Sequence, residues 1–212
     1  MTMAEARLIA QIHQKAVCLV SGGVDSMVAL ALMVRAGWGC TALFVDYGQQ
    51  ALDIERNAFE KVCERLRVER SYRKISLWES KGNLLLGDSA GTAMLQHRNL
   101  VLLIVADIET KARNADAIVT GFCRSPLYPD SSRPFCQLAQ HVIQQSGQSN
   151  RIILAPLLDL TKVDIGRLAR ELSLPLDMTA SCYCPSDSVS CQVCEGCKDR
   201  VTVMEAWHAS ST

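Results

Sequence analysis

The stretch that most limits what this chain can become is residues 16 to 37, AVCLVSGGVDSMVALALMVRAG. AVCLV is a short, β-branched apolar run ending at two glycines, and it reads as a buried strand. DSMVALALMVRAG follows as a helix that is apolar nearly all round, with Gly37 as its end signal. Gly22 and Gly23 permit positive φ and let main-chain N–H groups approach a ligand closely. The helix starts directly after them, so its unsatisfied N–H groups and positive dipole end face the same turn. Ser21 and Ser26 add hydroxyl groups there. Such a turn suits phosphate. Neither GKS/T nor GxGxxG is present, so neither a P-loop lysine nor a dinucleotide turn is indicated. The bland reading of the same residues is a strand–helix turn capped by Asp25 or Ser26.

The rest of the chain repeats the strand–helix alternation. CTALFVDYG (40–48) reads as a second buried strand, and LDIERNAFEKVCERLRVE (52–69) as an amphipathic helix. YRKISL (72–77) is a weaker third strand. Residues 79 to 97 are irregular, and a helix then runs through RNLVLLIVADIETKARN (98–114). AIVTG (117–121) is a short strand, and FCRSPLYPDSSRPF (122–135), with three prolines, is a structured loop. CQLAQHVIQQSG (136–147) and RIILAPLL (151–158) give a further helix and strand. TKVDIGRLARELSL opens with Thr161 and has Asp164 three residues on, the pattern of a capping box. Strands buried on both faces and alternating with helices call for an α/β, doubly wound parallel sheet.

Length and charge bound the function. At 212 residues the chain accommodates one good-sized α/β domain and a small appendage. We place the main domain at 1–178 and a metal-binding segment with a terminal helix at 179–212. Basic and acidic residues number 22 each, which argues against a general grip on nucleic acid or on a membrane surface. The longest apolar runs, MVALALMV and LVLLIVA, are far too short to cross a bilayer. MTMAEARLIAQIHQK carries charges within its apolar stretch and lacks a small-residue cleavage site, so it does not read as a signal peptide.

The ten cysteines are unevenly spread. Cys18, Cys40, Cys63, Cys123 and Cys136 stand singly, mostly in apolar surroundings. Cys182, Cys184, Cys191, Cys194 and Cys197 crowd into sixteen residues. That split suits a reducing cytoplasm, with a metal site at one end of the chain. Two overlapping CxxC turns and a distant fourth thiolate can close a tetrahedron around Zn²⁺ with no open position, which makes the site structural. An iron–sulfur cluster is the alternative occupant, and disulfides are disfavoured by the compartment.

SGGVDS after a buried strand resembles the pyrophosphate-binding loop of the ATP pyrophosphatase (PP-loop) superfamily. FVDYGQ (44–49), RNL (98–100), YPDSSRPF (128–135), PLLDLTKVDIGRLARELSLP (156–175) and TASCY before the cysteine cluster follow in the order of the 7-cyano-7-deazaguanine synthases, the QueC-like family. The resemblance covers nearly the whole chain. It implies a Rossmann-like sheet of the adenine nucleotide alpha hydrolase type. It also implies an ATP- and Mg²⁺-dependent carbon–nitrogen ligase that adenylates 7-carboxy-7-deazaguanine and passes it to ammonia, giving the nitrile through the amide.

Carried over residue by residue, the resemblance puts ATP at Ser21, Gly22, Gly23, Val24, Asp25, Ser26, Phe44, Arg98 and Gly121. Asp25, Ser26 and Lys162 are then the catalytic set. Tyr128, Asp130 and Arg133 would bind the deazaguanine, with Asp130 the only carboxylate in the loop 122–135 able to meet neighbouring N–H groups of its edge. The bland readings are that Asp130 caps the Pro-Asp-Ser turn, that Arg133 is a solvated loop residue and that Lys162 is an exposed first-turn lysine. Zinc falls to Cys182, Cys191, Cys194 and Cys197, with Cys184 as the runner-up ligand. A cytoplasmic homodimer is implied as well. The acceptor half departs from the family pattern. CRSPLYPDSS is about two positions short, lacks the usual acid before YPD, and has Ser131 where cysteine is typical. DYGQ is followed by QA rather than a basic pair, and Ala180 stands where tryptophan is usual. The activation step is therefore expected, while the acceptor is either ammonia or an amine of a partner protein, as in divergent relatives from bacterial antiphage defence. Thiolation of tRNA would need a catalytic cysteine near the nucleotide and a basic surface, and the neutral charge speaks against the surface. A non-catalytic nucleotide-binding module is disfavoured by the intact SGGVDS with Asp25.

Overall fold

The computed structural model describes residues 1–11, 14–76, 97–125, 128–186 and 190–209. Its strands are β1 (Lys15–Leu19), β2 (Gly39–Asp46), β3 (Glu69–Lys74), β4 (Ala117–Val119) and β5 (Ile152–Leu154). They form one sheet in the order β3-β2-β1-β4-β5, with every neighbouring pair parallel. The helices are α1 (Met3–Ala10), α2 (Val24–Arg35), α3 (Leu52–Leu66), α4 (Arg98–Arg113), α5 (Arg133–Gly147), α6 (Lys162–Glu171) and α7 (Glu195–His208). This is the doubly wound parallel sheet that the alternating pattern calls for.

The period of two along each strand divides the core. Ala16 and Cys18 of β1, Ala42 and Phe44 of β2, and Ala117 and Val119 of β4 pack with α2, α3 and α6. Val17, Leu43, Val45 and Ile118 point the other way, onto Leu103 and Ala106 of α4 and Ala139 and Ile143 of α5. α2 is apolar all round because it is buried all round: Met27, Leu30 and Met33 are fully covered. Each such side chain contributes roughly 2 kcal/mol of burial. Val203 of α7 joins the same core as α2 and α6. No described helix is long and apolar enough to cross a membrane.

Three elements depart from expectation. β3 lies at Glu69–Lys74 rather than at 72–77, because an edge strand carries polar residues and its apolar signal sits beside it. Tyr72 holds it down, with its ring 5.2 Å from that of Phe59, while Ile75 packs against the α4 side just past its end. α5 begins three residues early, since the Ser132 hydroxyl accepts from the Phe135 amide and Pro134 fits the first turn. α1 was not anticipated. A capping box between Thr2 and Glu5 starts it, and the indole of Trp38 donates to the Ala6 carbonyl to dock it. The expected irregular stretch 79–97 lies outside the described residues except for His97, the left-handed residue before α4.

Candidate active site and metal centre

A cavity of about 750 Å³ opens at the carboxyl ends of β1, β2 and β4. In the strand order β3-β2-β1-β4-β5, the direction of winding reverses between β1 and β4. Ligands of open parallel sheets bind at such a point. The start of α2 forms its floor. Gly23 is the residue before the helix, and no side chain caps it. Ser26 donates its hydroxyl to the Gly23 carbonyl, and Asp25 pairs with a lysine, so neither acts as the cap of a plain turn. The first-turn N–H groups of α2 are thereby left for a ligand. Ser21 and Ser26 hydroxyls, 3.4 Å apart, flank them.

Gly22 makes the turn possible. Its φ is +81°, and a Cβ there would run into the Glu55 carbonyl and come within 2.8 Å of the Phe59 amide nitrogen. Both are main-chain atoms of α3 and cannot swing aside. Gly22→Ala is therefore expected to cost about 3 kcal/mol, combining the left-handed penalty with overpacking. Urea unfolding of the two proteins checks this.

Lys162 faces that floor from the first position of α6. The capping box fixes it there: Asp164 accepts from the Thr161 amide at 2.9 Å and returns its own N–H to the Thr161 hydroxyl. The Lys162 ammonium lies 2.6 Å from an Asp25 oxygen and 3.0 Å from an Asp199 oxygen. Burial disfavours the ammonium, but Asp25, Cys123 and Asp199 outweigh it and push its pKa up. Lys162 is thus a fixed cation. Arg200, next to Asp199 on α7, donates to the Thr179 hydroxyl at 2.7 Å and the Leu176 carbonyl at 2.8 Å, and it also lines the cavity. The Cys123 thiol, 3.9 Å from Asp25, is pushed up to about 12 by burial and by that carboxylate, so it is no nucleophile at neutral pH.

The β2 side of the cavity carries Tyr47, Gln49, Glu55 and Arg98. The Gln49 amide donates to Glu55 at 3.0 Å, and its oxygen accepts from the Tyr47 N–H. Burial pushes the Glu55 carboxyl up to about 7, and Gln49 and Arg98 offset this only in part. Between its ordinary value of 4.5 and 7 the folded chain holds a proton that the unfolded chain has released, so stability falls as pH rises across that window. Above pH 7 the cost is complete. Glu55→Gln is expected to be more stable than the parent at pH 8, by up to about 3 kcal/mol, and to lose that advantage near pH 4.5. Thermal unfolding at the two pH values measures the difference.

Most of the residues expected from the sequence meet here. Ser21, Gly23, Val24, Asp25, Ser26, Arg98, Gly121, Tyr128 and Lys162 all line the cavity. Gly22 sits behind it, against α3. Phe44 is not among the described lining residues: its ring lies 5.3 Å from that of Phe59, and its neighbours Leu43 and Val45 line the cavity. Asp130 and Arg133 are not among the described lining residues. Arg133 forms an exposed pair with Asp159 at 2.5 Å, and the Asp130 carbonyl accepts from Asn99. Glu55, Asp199, Arg200 and Cys123 were not singled out as site residues. They sit on a polar helix face or in isolation, and only the fold brings them to the cavity.

The C-terminal thiols converge. Sγ atoms of Cys182, Cys184, Cys191 and Cys194 lie within 4.8 Å of one another. Cys197 Sγ lies 3.4 Å from that of Cys194 and 3.8 Å from that of Cys191. Four thiolates at about 2.3 Å around Zn²⁺ sit about 3.8 Å apart, so the set fits a single ion. Backbone N–H groups point at the sulfurs: Cys191 to Cys182 at 3.2 Å, Cys194 to Cys191 at 3.4 Å, and Tyr183 to Cys194 at 3.5 Å. The Cys191 thiol is drawn down to about 6, first by the N–H groups of Val193 and Cys194, which prepares it as a ligand.

The sequence profile described as "Queuosine biosynthesis protein QueC" matches residues 15–208. The chain belongs to the QueC family. Relatives in the family include the 7-cyano-7-deazaguanine synthase of Campylobacter concisus, 32% identical, over 89% of this chain and 92% of that one. The Campylobacter jejuni enzyme of the same name is 30% identical, over 91% and 94% respectively. The one from Methanosarcina mazei is 30% identical, over 88% and 91%. The fold is shared more widely. The NH₃-dependent NAD synthetase of Campylobacter jejuni, solved with nitrate, superposes with a TM-score of 0.57 at 16% identity, covering 83% of this chain and 72% of that one. The U34-tRNA thiolase NcsA of Methanococcus maripaludis, solved with its [4Fe-4S] cluster, gives 0.56 at 14%, covering 95% and 70%. These two likenesses are of fold alone: the parallel sheet and its helices are shared beyond the QueC family.

Proposed function

We propose that this chain is an ATP-dependent carbon–nitrogen ligase that converts 7-carboxy-7-deazaguanine to 7-cyano-7-deazaguanine with ammonia. The observation that carries this reading is the uncapped start of α2, opening on a cavity beside the fixed cation Lys162. Family membership and the printed names of the relatives supply the substrate.

The first-turn N–H groups of α2 and the Ser21 and Ser26 hydroxyls receive the β- and γ-phosphates. A substrate carboxylate oxygen bonds to the α-phosphorus as the bond to pyrophosphate breaks, leaving an acyl-adenylate. Lys162 offsets the charge that builds on the leaving oxygens. Ammonia then bonds to the acyl carbon, AMP leaves with the oxygen that had joined them, and a proton is lost from nitrogen. The amide oxygen then bonds to the α-phosphorus of a second ATP as its pyrophosphate leaves, and loss of AMP with the amide oxygen and of both nitrogen protons gives the nitrile. Asp25 and Asp199 offer the hard oxygen donors that would hold Mg²⁺ beside the phosphates, where the ion would supply further charge neutralisation. The cysteine cluster would hold Zn²⁺ with four thiolates and no open position, which suits a structural ion.

Tyr128 brings the substrate loop to the cavity, and Asp130 and Arg133 stand beside it in the same loop. The shortened and altered loop 122–135, with Ser131 after YPD, supports a second reading, in which an amine of a partner protein replaces ammonia. We place the enzyme in the cytoplasm, in keeping with ten free thiols. We also place it as a homodimer, whose interface would cover the exposed Ile104 and Ile108 of α4 and Leu138 and Val142 of α5. Mass spectrometry after incubation with ATP, Mg²⁺, 7-carboxy-7-deazaguanine and ammonia tests the reaction. The nitrile is expected. Adenylate that accumulates in the presence of ammonia would favour the partner amine, and intact ATP and substrate would refute both readings.

A further inference from the structure

Five thiols surround a position that one tetrahedral ion fills with four. We propose that Cys184 and Cys197 are alternative fourth ligands of one metal centre, whose three constant ligands are Cys182, Cys191 and Cys194. The constant three are those whose sulfurs each receive a backbone N–H, from Cys191, Cys194 and Tyr183 respectively. Cys184 Sγ approaches Cys191 Sγ to 3.5 Å, and Cys197 Sγ approaches the same atom to 3.8 Å. Both spacings match the edge of a zinc–thiolate tetrahedron, about 3.8 Å. Both thiols therefore stand at bonding reach of a common centre. A closed zinc site has room for only one of them.

The two choices are mechanically different. Cys184 follows Tyr183 on an irregular turn, whereas Cys197 lies in the first turn of α7. Two residues beyond Cys197, Asp199 reaches Lys162 at 3.0 Å. With Cys197 bound, the metal clamps the start of α7 at both Cys194 and Cys197, and Asp199 is held on Lys162. With Cys184 bound, α7 is tied through Cys194 alone, and the Cys197 thiol keeps its contact with the Ser190 hydroxyl at 3.0 Å. The exchange balances without a redox partner. A bond from the metal to Cys184 sulfur forms, the bond to Cys197 sulfur breaks, and the Cys184 proton passes to the released Cys197 thiolate.

The test uses the full chain loaded with Zn²⁺ or Co²⁺, with chelator competition for affinity, the Co²⁺ thiolate charge-transfer band for ligand count, and amide exchange over α7. Cys184→Ser and Cys197→Ser are each expected to retain one metal ion with a four-thiolate Co²⁺ spectrum and an affinity lowered by at most about tenfold. The double variant is expected to lose about a thousandfold or more, with a weaker charge-transfer band. Only the variants lacking Cys197 should exchange faster at residues 195–203. The proposal is overturned if one single variant loses metal as severely as the double variant while the other matches the parent, because the ligand set is then fixed. It is equally overturned if both singles lose metal, which would mean a centre needing all five sulfurs.

Discussion

Lys162→Gln is expected to lower ATP-dependent pyrophosphate release by about a thousandfold, in line with the loss of a single preorganised charge at a reacting centre. The geometry explains why the effect should be so large. Lys162 is mostly buried, held by a capping box, and sits between the Asp25 and Asp199 carboxylates at 2.6 and 3.0 Å. Without it, two carboxylates face incoming phosphates with no protein cation between them. ATP binding should fall far less than turnover, because the α2 N–H groups remain. A continuous pyrophosphate assay beside a calorimetric titration of ATP separates the two. Equal losses in binding and rate would instead make Lys162 a binding residue only.

The second large effect is at Cys194. It is fully buried, it precedes α7 as its N-terminal cap residue, and it accepts the Tyr183 N–H. It also belongs to both possible ligand sets, so no spare thiol can replace it. Cys194→Ser is expected to reduce metal content from about one ion per chain to near zero, since a hydroxyl is a poor substitute for a soft thiolate. At an ion concentration about a thousand times the dissociation constant the lost linkage is about 4 kcal/mol. For a chain of this size that lowers the melting temperature by roughly 10 °C. Pyrophosphate release should fall with it, because Asp199 and Arg200 ride on α7. Elemental analysis, thermal unfolding and the pyrophosphate assay together check this.

How much of this was legible in the residues depends on the range of the interaction. AVCLV, the glycine turn and the apolar helix after it declare themselves locally, because burial on both faces leaves an unbroken apolar signal. Thr161 and Asp164 likewise marked the start of α6, and with it the position of Lys162. β3 was misplaced by three residues because the edge of a sheet needs no apolar run. Phe44 is given to the nucleotide by resemblance alone, and the period of two in β2 puts its ring beside Phe59 while Leu43 and Val45 line the cavity. Asp199 and Glu55 had no local signature. Asp199 pairs with a lysine on a neighbouring helix, and Glu55 is made unusual only by the cavity that encloses it. The cysteine spacing announced a metal site. It did not show that Cys184 would stand as close to Cys191 as a ligand does.

In the proposed reaction a substrate carboxylate attacks the α-phosphorus of ATP at the start of α2. Substrate carrying ¹⁸O in its carboxylate, incubated with ATP, Mg²⁺ and ammonia, reports on that attack. The bridging oxygen of the acyl-adenylate leaves with AMP, so AMP heavier by one ¹⁸O is predicted, together with unlabelled pyrophosphate. Labelled inorganic phosphate with ADP would mean attack at the γ-phosphorus, and unlabelled AMP would mean that water, not the substrate, reaches the nucleotide; either result rules out attack by the carboxylate at the α-phosphorus.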